Sequence, residues 1–207
     1  MTEMFEKYKI GGDFIDRVIG GLPANPELVE TFLTVKGVDA QTLNSAQKMM
    51  ETAQSLSSFE GADRNSSNIF PKDEKGLFLN AYQIRANLKD AMTIQKSITS
   101  WRQKFQLGIR AMPNRIYLMR NGEHLTKADG VMQSVVHTEY MGKPMASLNK
   151  SEYIDRPSFE CEIWVGKERG KPVLNEDKMY ELLQHAGVIG LGAKRTMGYG
   201  QWTPKLL

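Results

Sequence analysis

The chain is nearly devoid of cysteine: Cys161 stands alone among 207 residues. A disulfide framework is excluded, and a reducing, cytoplasmic setting is expected. Cys161 alternates with apolar Phe159 and Ile163, so it reads as a core residue rather than a nucleophile. Long hydrophobic runs are missing as well. No stretch approaches the roughly 18 apolar residues of a membrane span, and no membrane partner is expected. The opening Met1-Thr2-Glu3-Met4-Phe5-Glu6-Lys7 lacks a basic segment followed by an apolar one, so no signal peptide is expected. Histidine is scarce: His124, His137 and His185 have no Cys, His or carboxylate at metal-ligand spacing on a common face. No metal and no cofactor are expected. There is no nucleophile elbow and no tight carboxylate pair in an apolar setting, so nothing favours small-molecule catalysis.

What is present is a proper core and an uneven charge. The apolar fraction is 41%, and 207 residues suit a single domain. A net charge of +3 conceals two opposed regions. Residues 1–63 carry 5 basic and 10 acidic groups, whereas residues 64–120 carry 11 basic and 3 acidic groups. Lys96, Arg102, Lys104, Arg110, Arg115 and Arg120 follow one another without an intervening carboxylate, with Trp101, Phe105 and Tyr117 among them. Cations neutralise phosphates and aromatic faces stack on bases, so this segment suits a polyanion. The plainer reading is a solvated surface with core aromatics.

Five glycines and two adjacent cations crowd Gly187-Val188-Ile189-Gly190-Leu191-Gly192-Ala193-Lys194-Arg195-Thr196-Met197-Gly198-Tyr199-Gly200. Glycine admits positive φ and close backbone approach. A loop of this kind is expected to present bare N–H groups to phosphate oxygens, with Lys194 and Arg195 adding charge. It is no Walker A loop, because Ala193 separates Gly192 from Lys194 and Tyr199 to Trp202 reads as a strand. Nor is it a dinucleotide fingerprint, because Arg195 stands where the third glycine is needed. A helix cap followed by a tight turn, with no ligand, is the structural alternative.

Along the chain, Tyr8 to Ile10 and Phe14 to Ile19 read as short strands around Gly11-Gly12, and Gly20-Gly21-Leu22-Pro23 as a break. Pro26 to Val35 reads as a helix or a strand, and Ala40 to about Leu56 as a helix capped by Asp39. Residues 57–75 read as a long mobile loop. A helix follows from about Asn80 to Ile98. Phe105 to Ile109, Arg115 to Met119, Val131 to Tyr140 and Ser158 to Val165 read as strands, the last with Phe159, Cys161, Ile163 and Val165 on one face. Asn175 caps a helix through Ala186, with Glu176 and Asp177 in its first turn and Gly187 at its end. Residues 158–207 thus read strand, helix, glycine loop, strand, the clearest half of a ferredoxin-like fold.

The string Gly190-Leu191-Gly192-Ala193-Lys194-Arg195-Thr196-Met197-Gly198-Tyr199-Gly200 resembles the C-terminal glycine-rich loop of the RAMP superfamily, the ferredoxin-like RNA-binding proteins of CRISPR systems. Gly20 to Pro23 and Ser147 to Ile154 look like the turn and loop elements those proteins decorate. The resemblance implies an α+β, RAMP-like or RRM-like antiparallel sheet with helices on one face and inserted loops. It implies single-stranded guide or repeat RNA and further protein subunits as partners, within a CRISPR effector or a mobile-element relative. The RNA-contacting set would be Gly190, Gly192, Lys194, Arg195, Gly198 and Tyr199, extended by Arg102, Lys104, Arg110 and Arg115 along one track. Two other readings stay open: a metal-independent endoribonuclease that processes repeat RNA, and a phage or mobile-element interaction protein without RNA. His137, near Tyr140 and Lys143, is the candidate general base for attack by a ribose 2′-hydroxyl. Such enzymes usually carry that base near their first helix, and no histidine here precedes His124, so the expectation is a non-catalytic protein.

Overall fold

A computed structural model of the chain describes residues 4–23, 67–95, 105, 108–140 and 143–207. Among the described residues the backbone forms mainly antiparallel sheets and two complete helices, an α+β arrangement. In chain order the strands are β1 (Phe5–Phe14), β2 (Arg17–Ile19), β3 (Leu22–Pro23), β4 (Ser67–Ile69), β5 (Lys72–Asp73), β6 (Gly76–Asn80), β7 (Ile109–Met112), β8 (Arg115–Tyr117), β9 (Met119–Arg120), β10 (Glu123–His124), β11 (Gly130–Tyr140), β12 (Lys143–Asp155), β13 (Ser158–Glu168), β14 (Lys171–Pro172) and β15 (Trp202–Leu206). Helix α1 (Ala81–Gln95) lies between β6 and β7, and α2 (Glu176–Ile189) between β14 and β15. The helix or strand expected over Pro26 to Val35, the helix expected from Ala40 to about Leu56, the loop residues 57–66, and Arg102 and Lys104 fall outside the described residues.

The central sheet runs β15-β1-β13, and β13 pairs on its other side with β7. Every one of these pairings is antiparallel. Alternation along β13 sets the two faces. Phe159, Cys161, Ile163 and Val165 are buried, and Glu160 and Glu162 are exposed. Opposite them, Ile10 pairs with Cys161, Ile163 with Ala111 and Val165 with Ile109, so the buried residues share one face. Ile84, Leu88, Ala91 and Met92 of α1 and Met179, Leu182, Leu183 and Ala186 of α2 join that face in one core. Burying each large side chain contributes roughly 1.5–3 kcal/mol. Burial also pushes the Cys161 thiol up to about 12, which leaves it unreactive near neutral pH.

A second sheet stands beside the first. β11 and β12 form a long hairpin in register from Gly130–Tyr153 to Tyr140–Lys143. β12 also pairs antiparallel with β2 and parallel with β4, which pairs with β3.

Several expectations need correction. β1 is one continuous strand, because Gly12 serves packing rather than a break: a Cβ there would lie 2.4 Å from the Phe159 ring and 2.6 Å from the Trp202 ring. Phe105 and Gly108 are helical and the strand begins only at Ile109, so the alternation at 105–109 misled. Part of the expected 57–75 loop is strand, at β4 and β5. Ser147 to Ile154 lies within β12 rather than in a loop, since hairpin pairing overrides its polar composition. α2 passes through Gly187, where a Cβ would come 2.2 Å from the Trp202 carbonyl oxygen, and ends at Gly190 instead. Within the glycine loop, Arg195–Met197 forms a 3₁₀ turn, and the strand after it starts at Trp202 rather than Tyr199.

Candidate nucleic-acid interface

The glycine loop begins where α2 stops. Asn175 caps the helix start by accepting from the Lys178 amide at 3.3 Å. At the other end the Gly190 N–H donates to the Ala186 carbonyl, with φ at 83°. The last carbonyls of a helix need partners, and α1 supplies one. Asn87 is 1% exposed, and its Nδ2 donates to the Ala186 oxygen at 3.0 Å and to the Gly190 oxygen at 2.8 Å. A polar side chain of α1 therefore fixes the base of the loop.

Three further backbone bonds close the loop and pin it to β2. Leu191 N–H donates to Gly200 O at 2.8 Å, Ala193 N–H to Ile19 O at 3.1 Å and Gly200 N–H to Arg17 O at 2.8 Å. The amides of Met197 and Gly198 donate within the 3₁₀ turn, to Lys194 and Arg195. The expectation of a loop presenting bare amides is thus narrowed: the amides of Gly190, Leu191, Ala193, Met197, Gly198 and Gly200 are taken by backbone carbonyls, three of them within the loop and three on α2 and β2. What projects is the tip: Arg195, Thr196, Met197 and Gly198 are exposed, whereas Gly190 is buried and Gly192 and Tyr199 are half-buried.

The two cations differ. Lys194 sits in the left-handed region, φ 56°, and its Nζ donates to the Ser134 hydroxyl of β11 at 2.6 Å. Among the described residues it has no carboxylate partner, and burial lowers its pKa. Arg195 pairs with Asp90 of α1 at 3.1 Å, with both side chains substantially exposed. Around Ser134 lies a polar group that the sequence reading missed. Asn149 is its cross-strand partner, Ser151 donates to Asn149 Oδ1 at 2.8 Å, and Asn68 Nδ2 donates to Ser151 Oγ at 3.3 Å. The only signal in the sequence is Asn149 and Ser151 at period two, which becomes meaningful once Ser134 is known to face them.

The remaining candidates do not converge on this loop. Arg110 pairs with Trp164 across the central sheet and lies on the face turned from the helices, its guanidinium 5.8 Å from the Phe5 ring. Arg115 donates to Asp73 at 2.8 Å and lies 5.4 Å over Phe78. The single track through Arg110, Arg115, Lys194 and Arg195 is therefore broken: Arg110 and Arg195 stand on opposite faces of the central sheet. His137 pairs with Ala146 in the hairpin, and its side chain lies outside what is described. Asp73 also accepts from Tyr117 at 2.7 Å and from the amides of Lys75 and Gly76. Burial would raise its carboxyl, but these bonds and Arg115 outweigh burial and hold it below the usual range. His124 stacks on Tyr117 at 4.7 Å and is exposed.

Among the described residues, no group of three metal-ligating side chains gathers and no helix is long and apolar enough to cross a membrane. Compared with known proteins, the chain matches no family model and no curated sequence.

Proposed function

We propose that the chain is a non-catalytic RNA-binding protein of RAMP-like, ferredoxin-like architecture. It would act as a subunit of a CRISPR effector ribonucleoprotein or of a mobile-element relative, with the Lys194–Tyr199 loop tip holding phosphates of single-stranded RNA. The strand order β15-β1-β13-β7 supports the architecture, because a helix-containing connection joins β1 to β7 and another joins β13 to β15. One observation carries the function. Lys194 is a partly desolvated ammonium balanced by a neutral hydroxyl, on a loop anchored to three elements. A phosphate beside it would supply the missing negative charge. Arg195 adds a second cation whose exposed pair with Asp90 costs little to exchange for a phosphate.

The test is titration of a labelled single-stranded RNA at several salt concentrations. Lys194→Ala and Arg195→Ala should each weaken binding and flatten the log–log salt slope by about 0.7. Lys178→Ala, at the far end of α2, should change neither. Unchanged slopes in both loop variants would remove the loop from the contact. Metal-independent cleavage by the wild type, lost in His137→Ala, would overturn the non-catalytic reading.

A further inference from the structure

We propose a second RNA contact on the central sheet face turned away from the helices, where Phe5 and Trp164 form a stacking platform for unpaired bases. Register alone places the residues. Phe5, Lys7 and Lys9 of β1 pair with Gly166, Trp164 and Glu162 of β13, and Trp164 pairs with Arg110 of β7. Directly paired residues share a face, and this one carries exposed Lys7, Lys9, Arg110, Glu160 and Glu162. The Phe5 and Trp164 rings are 6.0 Å apart, tilted by 45°. Lys7 Nζ lies 4.7 Å from the Trp164 ring, and the Arg110 guanidinium 5.8 Å from the Phe5 ring.

Charge selects the occupant. Two carboxylates of this face are ion-paired and a third is hydrogen-bonded. Glu160 pairs with Lys9 at 3.2 Å, Asp13 pairs with Lys205, and Glu162 accepts from the Trp164 indole N–H at 2.8 Å. The last bond also holds the indole plane in place. Among the described residues, Lys7 and Arg110 have no carboxylate partner, so two cations flank two rings on neighbouring central strands. Rings that stack on bases and cations that reach the adjoining phosphates are how single strands are bound without a sequence code. Both rings are only half-buried, so a base can reach them.

The inference rests on the reading that the protein binds single-stranded RNA, but it does not use the glycine loop. The test uses single-stranded RNA carrying 4-thiouridine, crosslinked to the wild-type protein and mapped by mass spectrometry. Alongside it, affinity is measured for Phe5→Leu, Trp164→Leu, Lys7→Gln with Arg110→Gln, and Lys194→Ala with Arg195→Ala. Crosslinks at Phe5 or Trp164 are expected. Each leucine variant should lose about tenfold in affinity, and the glutamine pair should flatten the salt slope without disturbing the core. Crosslinks confined to the glycine loop, with full affinity in the leucine variants, would overturn the platform and leave the function standing. Losses in the platform variants alone would uphold the platform and remove the loop. No binding by the wild type would overturn both. If a leucine variant does not fold, the wild-type crosslinks and the glutamine pair decide.

Discussion

Two alanine substitutions two positions apart should separate backbone strain from steric closure in the glycine loop. Gly198 and Gly200 have nearly the same φ, 86° and 78°. A non-glycine residue in that region costs about 1–2 kcal/mol. At Gly198 nothing lies within 4 Å of an added Cβ, so Gly198→Ala should cost that amount alone. At Gly200 the added Cβ would fall 1.8 Å from the Leu191 oxygen and 2.9 Å from its carbonyl carbon. Backbone cannot rotate out of the way as a side chain can. Leu191 and Gly200 must part, which breaks the 2.8 Å bond between them and strains the Gly200 bond to Arg17. Each buried group left unpaired costs about 1–3 kcal/mol, and the broken bond leaves two, so Gly200→Ala should cost about 3–8 kcal/mol in total. That is a large share of a typical 5–15 kcal/mol stability. Denaturant unfolding gives the difference directly from the midpoints, provided the slopes agree. Equal losses in the two variants, to within about 0.5 kcal/mol, would show that the loop is not closed as described.

Two further predictions probe the supports of the site. Asn87→Ala should destabilise by about 2 kcal/mol, because the Gly190 carbonyl loses the Asn87 donor while Ala186 O keeps the Gly190 amide. Asn87→Asp should be worse at neutral pH, and the gap should narrow on acidification as the protonated carboxyl regains a donor; melts of both variants across pH check this. Asp73 is held below its ordinary value, so its contribution to stability is present above about pH 4 and is lost as pH falls through the lowered folded value. Asp73→Asn should therefore flatten the acid limb of the stability curve, and an unchanged limb would exclude Asp73 as its source.

Some of this was legible from residue types. Asn175 with Glu176 and Asp177 announced α2, and strict alternation announced β13, because each signal is local and is reinforced by burial. The misreadings share one cause. Gly12 and Gly187 look like breaks, yet both stay within regular elements because a distant group, the Phe159 ring or the Trp202 carbonyl, needs the space. Ser147 to Ile154 looks like loop, yet pairing with β11 makes it strand. Such demands come from partners far along the chain, and a local pattern does not contain them.

The candidate site divides in the same way. Lys194 and Arg195 were visible as adjacent cations, but their different situations were not, since one depends on Ser134 and the other on Asp90. Arg110 and Arg115 looked like members of one track because a run of cations in sequence resembles a patch. The strand β7 carries Arg110 to the open face, and Asp73 holds Arg115 elsewhere. Charge along a chain therefore reports composition, and only strand register turns it into a surface. By that register, the cations best placed to cooperate are Lys7 and Arg110, which lie more than a hundred residues apart in sequence and flank the same aromatic pair across β1, β13 and β7. Lys7 lies in the acidic N-terminal region, yet it is one of the few cations of the central sheet whose charge no carboxylate among the described residues answers.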